Sequence, residues 1–279
     1  MLACENIIEH IASYLQIDPL SIRRLNLYKE GDVTTYGQRL EQWNVPRLLD
    51  ELIESSDLVQ RQKAVQQFNR ANNYRKRGLT VIPNKFSIGY MVPFMNQAGA
   101  LALIYKDGSV LLSHGGIEIG QGLHTKMIAI AAESLRCDID CIRVSETATD
   151  KVPNASATVG SNASDLNGMA VQIACEQLRE RLDTLLVDGD ASVSWKDLVK
   201  RAYFSRIDLC ARGFYSAPGK FEFDLANNRA HSNYFTQGAA VTEVELDVLT
   251  GDWHLLRVDI MMVELVLARI VQRWHLTSF

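Results

Sequence analysis

The chain has 279 residues, a formal charge of −4, 47% hydrophobic residues and 22% charged residues. At roughly 100–200 residues per domain, this predicts one large domain or two small ones, with length enough to bury a core. The apolar fraction excludes general disorder, the slight acidity argues against a dedicated nucleic-acid binder, and no run approaches about 18 consecutive apolar residues, so no membrane span is predicted.

The opening MLACENIIEH lacks a basic region followed by an apolar stretch, so a secretory signal is not expected. Ile7, Ile8, Ile11, Ala12 and Leu15 fall on one face at helical spacing. Asp18-Pro19 breaks that helix and starts a short second one through about Leu25. Residues 28–38 are polar and hold Gly31 and Gly37, which reads as loop. Two further helices are expected near 45–55 and 56–77. The second carries Arg70, Arg75, Lys76 and Arg77, read as a solvated helix C-terminus complementing the dipole or as a phosphate-binding patch. After Gly78 the texture changes. Residues 79–82 and 88–94 read as strands, and Lys106-Asp107-Gly108-Ser109 between apolar runs at 101–105 and 110–113 is a hairpin signal. Then follow a glycine-rich loop, a helix near 122–136, a strand near 139–146, a polar loop and a helix near 164–186. A helix near 194–205 opens on Ser194 as N-cap. Strands at 239–249 and 253–262 close the pattern around Leu249-Thr250-Gly251-Asp252.

Cysteines stand at 4, 137, 141, 175 and 210. The odd number and irregular spacing argue for a reducing compartment, not a disulfide framework. No second pair joins Cys137 and Cys141 to complete a tetrahedral metal set, and no H-x-x-x-H pair supports a zinc hydrolase. Two segments carry the chemistry. His114-Gly115-Gly116-Ile117-Glu118-Ile119-Gly120-Gln121-Gly122-Leu123-His124 follows a strand and opens a helix. Glycines there let the backbone approach a ligand, and a helix N-terminus offers N–H groups to an anion. It is neither a P-loop nor the dinucleotide fingerprint, and a tight structural turn is the competing reading. Ala157 through Gly168 (ATVGSNASDLNG) again runs small residues and hydroxyls into a helix start. Two such starts predict convergence on one extended polar or anionic cofactor. Glu118, Glu146 and Asp165 read as orienting or capping groups. No Gly-x-Ser-x-Gly elbow is present.

At these loops the sequence resembles the xanthine dehydrogenase and aldehyde oxidase family of molybdenum hydroxylases. The carriers are Gly115–Met127, Ser145-Glu146-Thr147, Val152-Pro153-Asn154 and Thr158–Gly168, with Tyr28–Asp32, Asn96–Ala100, Glu243–Asp247 and Leu249–Asp252 in the family's order. The resemblance covers about residues 15 to 262, and Asn96–Ala100 with Gly213-Phe214-Tyr215 is closer to the xanthine dehydrogenase branch. It implies an α+β fold of mixed sheets with packed helices. It also implies a molybdenum ion carried by the dithiolene of molybdopterin, so protein contacts are hydrogen bonds around the cofactor. The resemblance maps Ile119, Gly120 and Gln121 onto pterin contacts, Gly160 onto the backbone position facing molybdenum, and Ser161, Asn162, Ala163 and Ser164 onto neighbouring cofactor contacts. Gly160, usually alanine in the family, and Asn162 are departures. In the substrate pocket Tyr90 aligns with a family phenylalanine and Met91 with a threonine; the tyrosine hydroxyl needs a partner.

The implied activity is hydroxylation of a purine such as xanthine, or of a related N-heterocycle or aldehyde, with oxygen drawn from water and a glutamate as general base. Electrons would leave through 2Fe-2S clusters to FAD in a full-length, cytoplasmic, homodimeric parent. The resemblance places three features outside this sequence: the first cofactor-binding half before residue 1, the redox domains, and the catalytic glutamate beyond Met262. Residues Glu264–Phe279 look unrelated to the family, as a shifted reading frame or alternative exon would make them. The expected organisation is therefore 1–77 as helical lead-in, 78–262 as a truncated second molybdopterin-binding domain, and 263–279 as a divergent tail that packs poorly. The chain would be a cofactor-cradle fragment without a catalytic residue of its own. The alternative is a non-catalytic remnant or dimerisation module that binds no cofactor.

Overall fold

The computed structural model describes residues 1–186, 193–219 and 221–263. In chain order the elements are α1 (Leu2–Leu15), α2 (Pro19–Leu25), α3 (Val45–Ser55), α4 (Leu58–Ala71), β1 (Arg75–Ile88), β2 (Gln97–Ile104), β3 (Val110–His114), α5 (Leu123–Leu135), β4 (Ile142–Val144), α6 (Ala163–Asp183), α7 (Trp195–Phe204), β5 (Cys210–Ser216), β6 (Glu222–Asp224), β7 (Arg229–His231), β8 (Tyr234–Asp247) and β9 (Trp253–Val263). They gather into two compact units. The first holds Met1–Ser87, Asp224–Ala230 and the strands from Tyr234 onward; the second holds Ile88–Phe223 and His231–Asn233. Residue 78, where the sequence suggests a boundary, lies inside β1, and the units divide ten residues later in the chain, between Ser87 and Ile88.

In the first unit, a three-stranded sheet runs in the order β1-β8-β9. The β8–β9 pair is antiparallel, with Ala240 opposite Ile260 and a bulge at Glu243/Val244. Leu49, Leu52 and Leu58 from the helices bury Val81, Ala239 and Val241 of the sheet. The expected strands at 79–82 and 88–94 differ from what forms: one long strand, β1, spans the Pro83 that would interrupt a central strand. Because β1 is an edge of its sheet, a missing N–H at Pro83 is tolerated. The α1 stripe also differs from expectation, since Ala12 is buried while Ile7, Ile11 and Leu15 are exposed. What ties α1 to α2 is Arg23, 4% exposed, which reaches Glu5 at 2.9 Å and Glu9 at 2.6 Å, one turn apart on α1.

The expected helix at 56–77 stops at Ala71. The Lys76 ammonium donates to the Asn69 and Asn72 carbonyls, both at 2.6 Å, and so closes the end of α4. The neighbouring arginines turn into the sheet: Arg77 pairs with Glu245 at 3.0 Å and stacks over Phe68, and Arg75 reaches the same carboxylate at 3.4 Å. Of the run read as a phosphate patch, Arg75 and Arg77 share the Glu245 carboxylate and Lys76 is turned onto backbone carbonyls.

In the second unit, a four-stranded sheet runs β4-β3-β2-β5. The Asp-Gly hairpin joins β2 to β3, with Ala100 opposite His114, the Tyr105 N–H bonded to the Ser109 carbonyl, and Gly108 at φ +90°. Strand β3 pairs in parallel with β4 across α5, a β-α-β crossover. Helix α6 lies on β2 and β5. Ala98, Ala100 and Ala102 of β2 and Ala170 and Ala174 of α6 are all buried, so small residues bring helix and sheet close. Gly213 of β5 marks the tightest point, where a Cβ would stand 1.9 Å from the Ala170 carbonyl oxygen. Ser194 caps α7 as expected, its Oγ accepting from the Asp197 N–H. The expectation of a poorly packed tail from Glu264 lies outside the described residues.

Candidate functional site

The glycine-rich loop leaves the carboxyl end of β3, a position where parallel-paired strands present ligand-binding loops. Its base is fixed by His114, 1% exposed. Nδ1 of His114 lies 3.2 Å from the Gly116 amide and must accept from it. The proton is therefore on Nε2, which donates to Nδ1 of His124 at 3.0 Å. Burial, reinforced by the nearby His124, pushes His114 down to about 4, so it is neutral near pH 7.

The loop's glycines divide by purpose. A Cβ on Gly115 would sit 2.1 Å from the Ala155 Cβ, and one on Gly116 would sit 2.6 Å from Leu123 and 2.9 Å from Asn167. These two positions allow close approach of the chain to itself, not to a ligand. Gly120 and Gly122 have φ of +101° and +74° with open space around them; they are needed for backbone conformation.

The first turn of α5 does not wait for an anion. Glu118 accepts from the Gly120 and Gly122 amides, both at 2.9 Å, and from the His124 amide at 3.1 Å. The His124 amide foremost, joined by the other two, holds the carboxylate below its ordinary range. Glu118 is thus a cap, as its position suggested, and it takes the His124 amide of the first turn together with the Gly120 and Gly122 amides that lead into it. Gln121 closes the loop tip: its Oε1 accepts from Ile119 N–H at 2.7 Å and its Nε2 donates to the Ile117 carbonyl at 2.9 Å. A carboxamide has two lone pairs and two N–H groups, so each end keeps capacity for a ligand. Ile119, Gly120 and Gln121 are all exposed.

The second segment meets the first directly. The Ile117 amide donates to Thr158 Oγ1 at 2.9 Å, and Lys126 of α5 approaches Ser164 Oγ at 3.5 Å. Gly160 and Ser161 are both left-handed, at φ +70° and +57°. The Gly160 carbonyl accepts from the Gly89 N–H at 2.9 Å, which ties this turn to the segment holding Tyr90 and Met91. The departure at Gly160 has a local reason: its positive φ suits glycine better than alanine. Ala163 packs toward the core. Asn162, the N-cap residue of α6, makes no side-chain cap hydrogen bond.

Tyr90 hydroxyl finds its partner in the Ala157 carbonyl, and burial raises the phenol above its ordinary range. Met91 is half-buried beside it. The structure thus brings together Tyr90, Gly160 and Ser161–Ser164, and links the 117–121 tip to them through Thr158.

Sequence reasoning placed no weight on Asn96 as a site residue. It is 2% exposed. Its Oδ1 accepts from the Tyr90 N–H at 3.0 Å, and its Nδ2 donates to the Tyr90 and Val92 carbonyls at 2.8 and 3.0 Å. The available signal was an asparagine directly before an apolar strand, a residue type that satisfies loop backbone. Asn162, 3% exposed, donates from Nδ2 to Asn96 Oδ1 at 3.2 Å, while its own Oδ1 is buried with no partner. The Oδ1 of Asn167, one turn along α6, is also unpartnered. Buried acceptors without donors cost free energy, and both of these are closed off by the protein's own atoms. Among the described residues no three His, Cys, Asp or Glu side chains converge on a metal position. The donors on offer are amides, hydroxyls and carboxamides, which suit a polar organic cofactor better than a bare cation.

Comparison with known proteins agrees. Residues 51–262 match the model of the molybdopterin cofactor-binding domain. The chain is 47% identical over 263 residues to a xanthine dehydrogenase of Calliphora vicina and 48% identical to one of Drosophila pseudoobscura pseudoobscura, covering 94% of this chain. It spans about a fifth of the length of these relatives, 19% and 20%. The aldehyde oxidoreductase of Desulfovibrio desulfuricans superposes with a TM-score of 0.71 at 25% identity, over 92% of this chain and 27% of that one. The mixed helix-and-sheet architecture is therefore that of the molybdenum hydroxylases, and the chain belongs to their molybdopterin cofactor-binding domain family.

Proposed function

We propose that this chain supplies part of the cradle for molybdenum–molybdopterin in a xanthine dehydrogenase-like hydroxylase acting on purines or related N-heterocycles. The observation that carries this reading is the joining of the two loops through the Ile117 amide and Thr158 Oγ1, with Ile119, Gly120 and Gln121 exposed at the tip. When bound, the cofactor supplies the hydroxylating and electron-accepting chemistry. The chain's own residues bind and orient. Ile119, Gly120 and Gln121 offer backbone and carboxamide contacts to the pterin; Gly160 offers its backbone toward the metal, and Ser161, Asn162, Ala163 and Ser164 are the neighbouring cofactor contacts. Tyr90, with its hydroxyl engaged by Ala157, offers an aromatic wall to a planar substrate, and Met91 offers bulk without a donor. Glu118 is spent on three amides, so it is an organiser of the loop and not the general base. In the longer parent, 2Fe-2S clusters and FAD carry the electrons away, a homodimer is the assembly, and the five free thiols suit the cytoplasm. No helix among the described residues is long and apolar enough to cross a membrane.

The test is metal and pterin analysis of the chain purified from a host that makes the cofactor. About one molybdenum per chain, with oxidised-pterin fluorescence, is expected. A folded chain that carries neither would overturn the cradle reading and leave the non-catalytic module in its place. The same preparation should show no xanthine turnover without a partner that contributes the base and redox groups.

A further inference from the structure

The two edges of the three-stranded sheet β1-β8-β9 are built differently. The β1 edge carries Pro83 with Lys76 and Lys85, residue types that keep an edge strand from pairing with another chain. The β9 edge, Trp253–Val263, holds neither proline nor lysine, and among the described residues only β8 pairs with it. Its faces are set by the helices. Asp259 reaches Arg61 of α4 at 2.7 Å, and Met261 packs against the cluster of Leu49, Leu52 and Val241. The alternate residues Val258, Ile260 and Met262 therefore face away from the helices. They are 41%, 65% and 58% exposed, an apolar row along an edge whose outer backbone groups have no strand beside them.

We infer that two copies of this chain pair edge to edge through β9, antiparallel about a two-fold axis at Val258, so that two three-stranded sheets become one. The strand's own sequence chooses this register. Val258 is the middle of its 11 residues, and a two-fold there lets every one of them face a residue of the other copy. It also sets Arg257 of each copy across from Asp259 of the other, on the helix-covered face. A two-fold at Leu256 or Ile260 would instead set Asp259 across from Trp253 or Met261, with no charge pair. Arg257 already binds Asp259 of its own chain at 2.6 Å and is 51% exposed, and its fork has further N–H groups for the second carboxylate. On the other face Val258 meets its own copy. Opposite charges and β-branched pairs are the units that stabilise an antiparallel ladder. Leu256 is the extra residue of the β8–β9 bulge; it bends the strand but leaves 257–259 regular at the seam. The pairing needs no cofactor, so it is judged apart from the cradle reading.

Sedimentation equilibrium of the full chain, with no molybdenum or pterin added, tests this. At about 100 μM the chain should have twice the mass of one copy, and it should dissociate on dilution. Arg257→Asp, which sets two carboxylates across the seam, and Ile260→Lys, which puts a charge on the open edge, should each weaken association at least about tenfold. Circular dichroism checks that both variants are folded. The register is read by cross-linking in a Cys4→Ser/Cys210→Ser background, which removes the exposed thiols. Val258→Cys should give a disulfide-linked dimer on mild oxidation, because directly paired Cα atoms lie about 4.5–5.5 Å apart. Met262→Cys should not, because each copy of it faces His254 of the other and the two thiols stand about 27 Å apart along the seam. A chain that is monomeric at the higher concentration would overturn the inference and leave the β9 edge to another segment of a longer protein. So would a dimer that either charge variant leaves intact, or one that cross-links equally at 258 and 262.

Discussion

Acidification below about pH 6.5 should destabilise the second unit, because the unfolded chain takes up a proton on His114 that the fold refuses. The ring is 1% exposed. Its Nδ1 accepts from Gly116 and its Nε2 faces His124 Nδ1, so a second ring proton has no acceptor. Burial, then His124, hold the folded value at about 4 against an ordinary 6.5. Between those values the unfolded chain binds the proton and the folded chain does not, so stability is present at neutral pH and is lost as pH falls. The gap, at about 1.4 kcal/mol per pH unit, amounts to about 3 kcal/mol in all, of which about 2 kcal/mol is lost between pH 7 and pH 5. Urea unfolding across that range, in wild type and His114→Gln, measures it. The variant is expected to be less stable at pH 7, where it lacks the paired ring, but to have a shallower pH dependence. The difference between the curves cancels the remaining histidines. Parallel curves would refute the reasoning; so would a His114 ring resonance that titrates near 6.5 in the wild-type chain.

Gly213→Ala should cost at least about 1–3 kcal/mol, because the new methyl would meet the Ala170 carbonyl at 1.9 Å and backbone cannot rotate aside; a thermal transition unchanged from wild type would contradict the helix–sheet contact. Gly115→Ala should destabilise through the Ala155 methyl at 2.1 Å, and Ala155→Gly in the same chain should restore most of the loss. If the double variant is as weak as the single one, the close approach of the two loops is wrong. Arg61 binds Glu243 at 2.9 Å and Asp259 at 2.7 Å, with all three side chains no more than 20% exposed. Arg61→Met strands Glu243, while Asp259 keeps Arg257 at 2.6 Å, and should cost about 1–3 kcal/mol in chemical denaturation, where a loss below about 0.5 kcal/mol would count against it.

Local pattern was enough for much of this protein. Apolar spacing in α5 and α6, the Asp-Gly turn between β2 and β3, and Ser194 before α7 each act over a few residues, where periodicity and turn chemistry are short-range. The ordered motifs around Gly115–Met127 and Thr158–Gly168 likewise carried the family resemblance, because a linear run of residues is what they are. Tertiary structure decided how the polar groups are spent. From sequence, Glu118 read as an orienting or capping group and the glycines of its loop as places where the backbone approaches a ligand; in the fold Glu118 caps α5, while Gly115 and Gly116 make room for Ala155, Leu123 and Asn167. The basic run after α4 read as helix until its pairing with Glu245, 168 residues away from Arg77, drew it into β1. Asn96 and Asn162, separated by 66 positions, gain their roles only when β2 and α6 are packed together. A hydrogen-bond donor or acceptor has a fixed number of valences, and which of them remain for a ligand depends on neighbours that linear spacing does not specify.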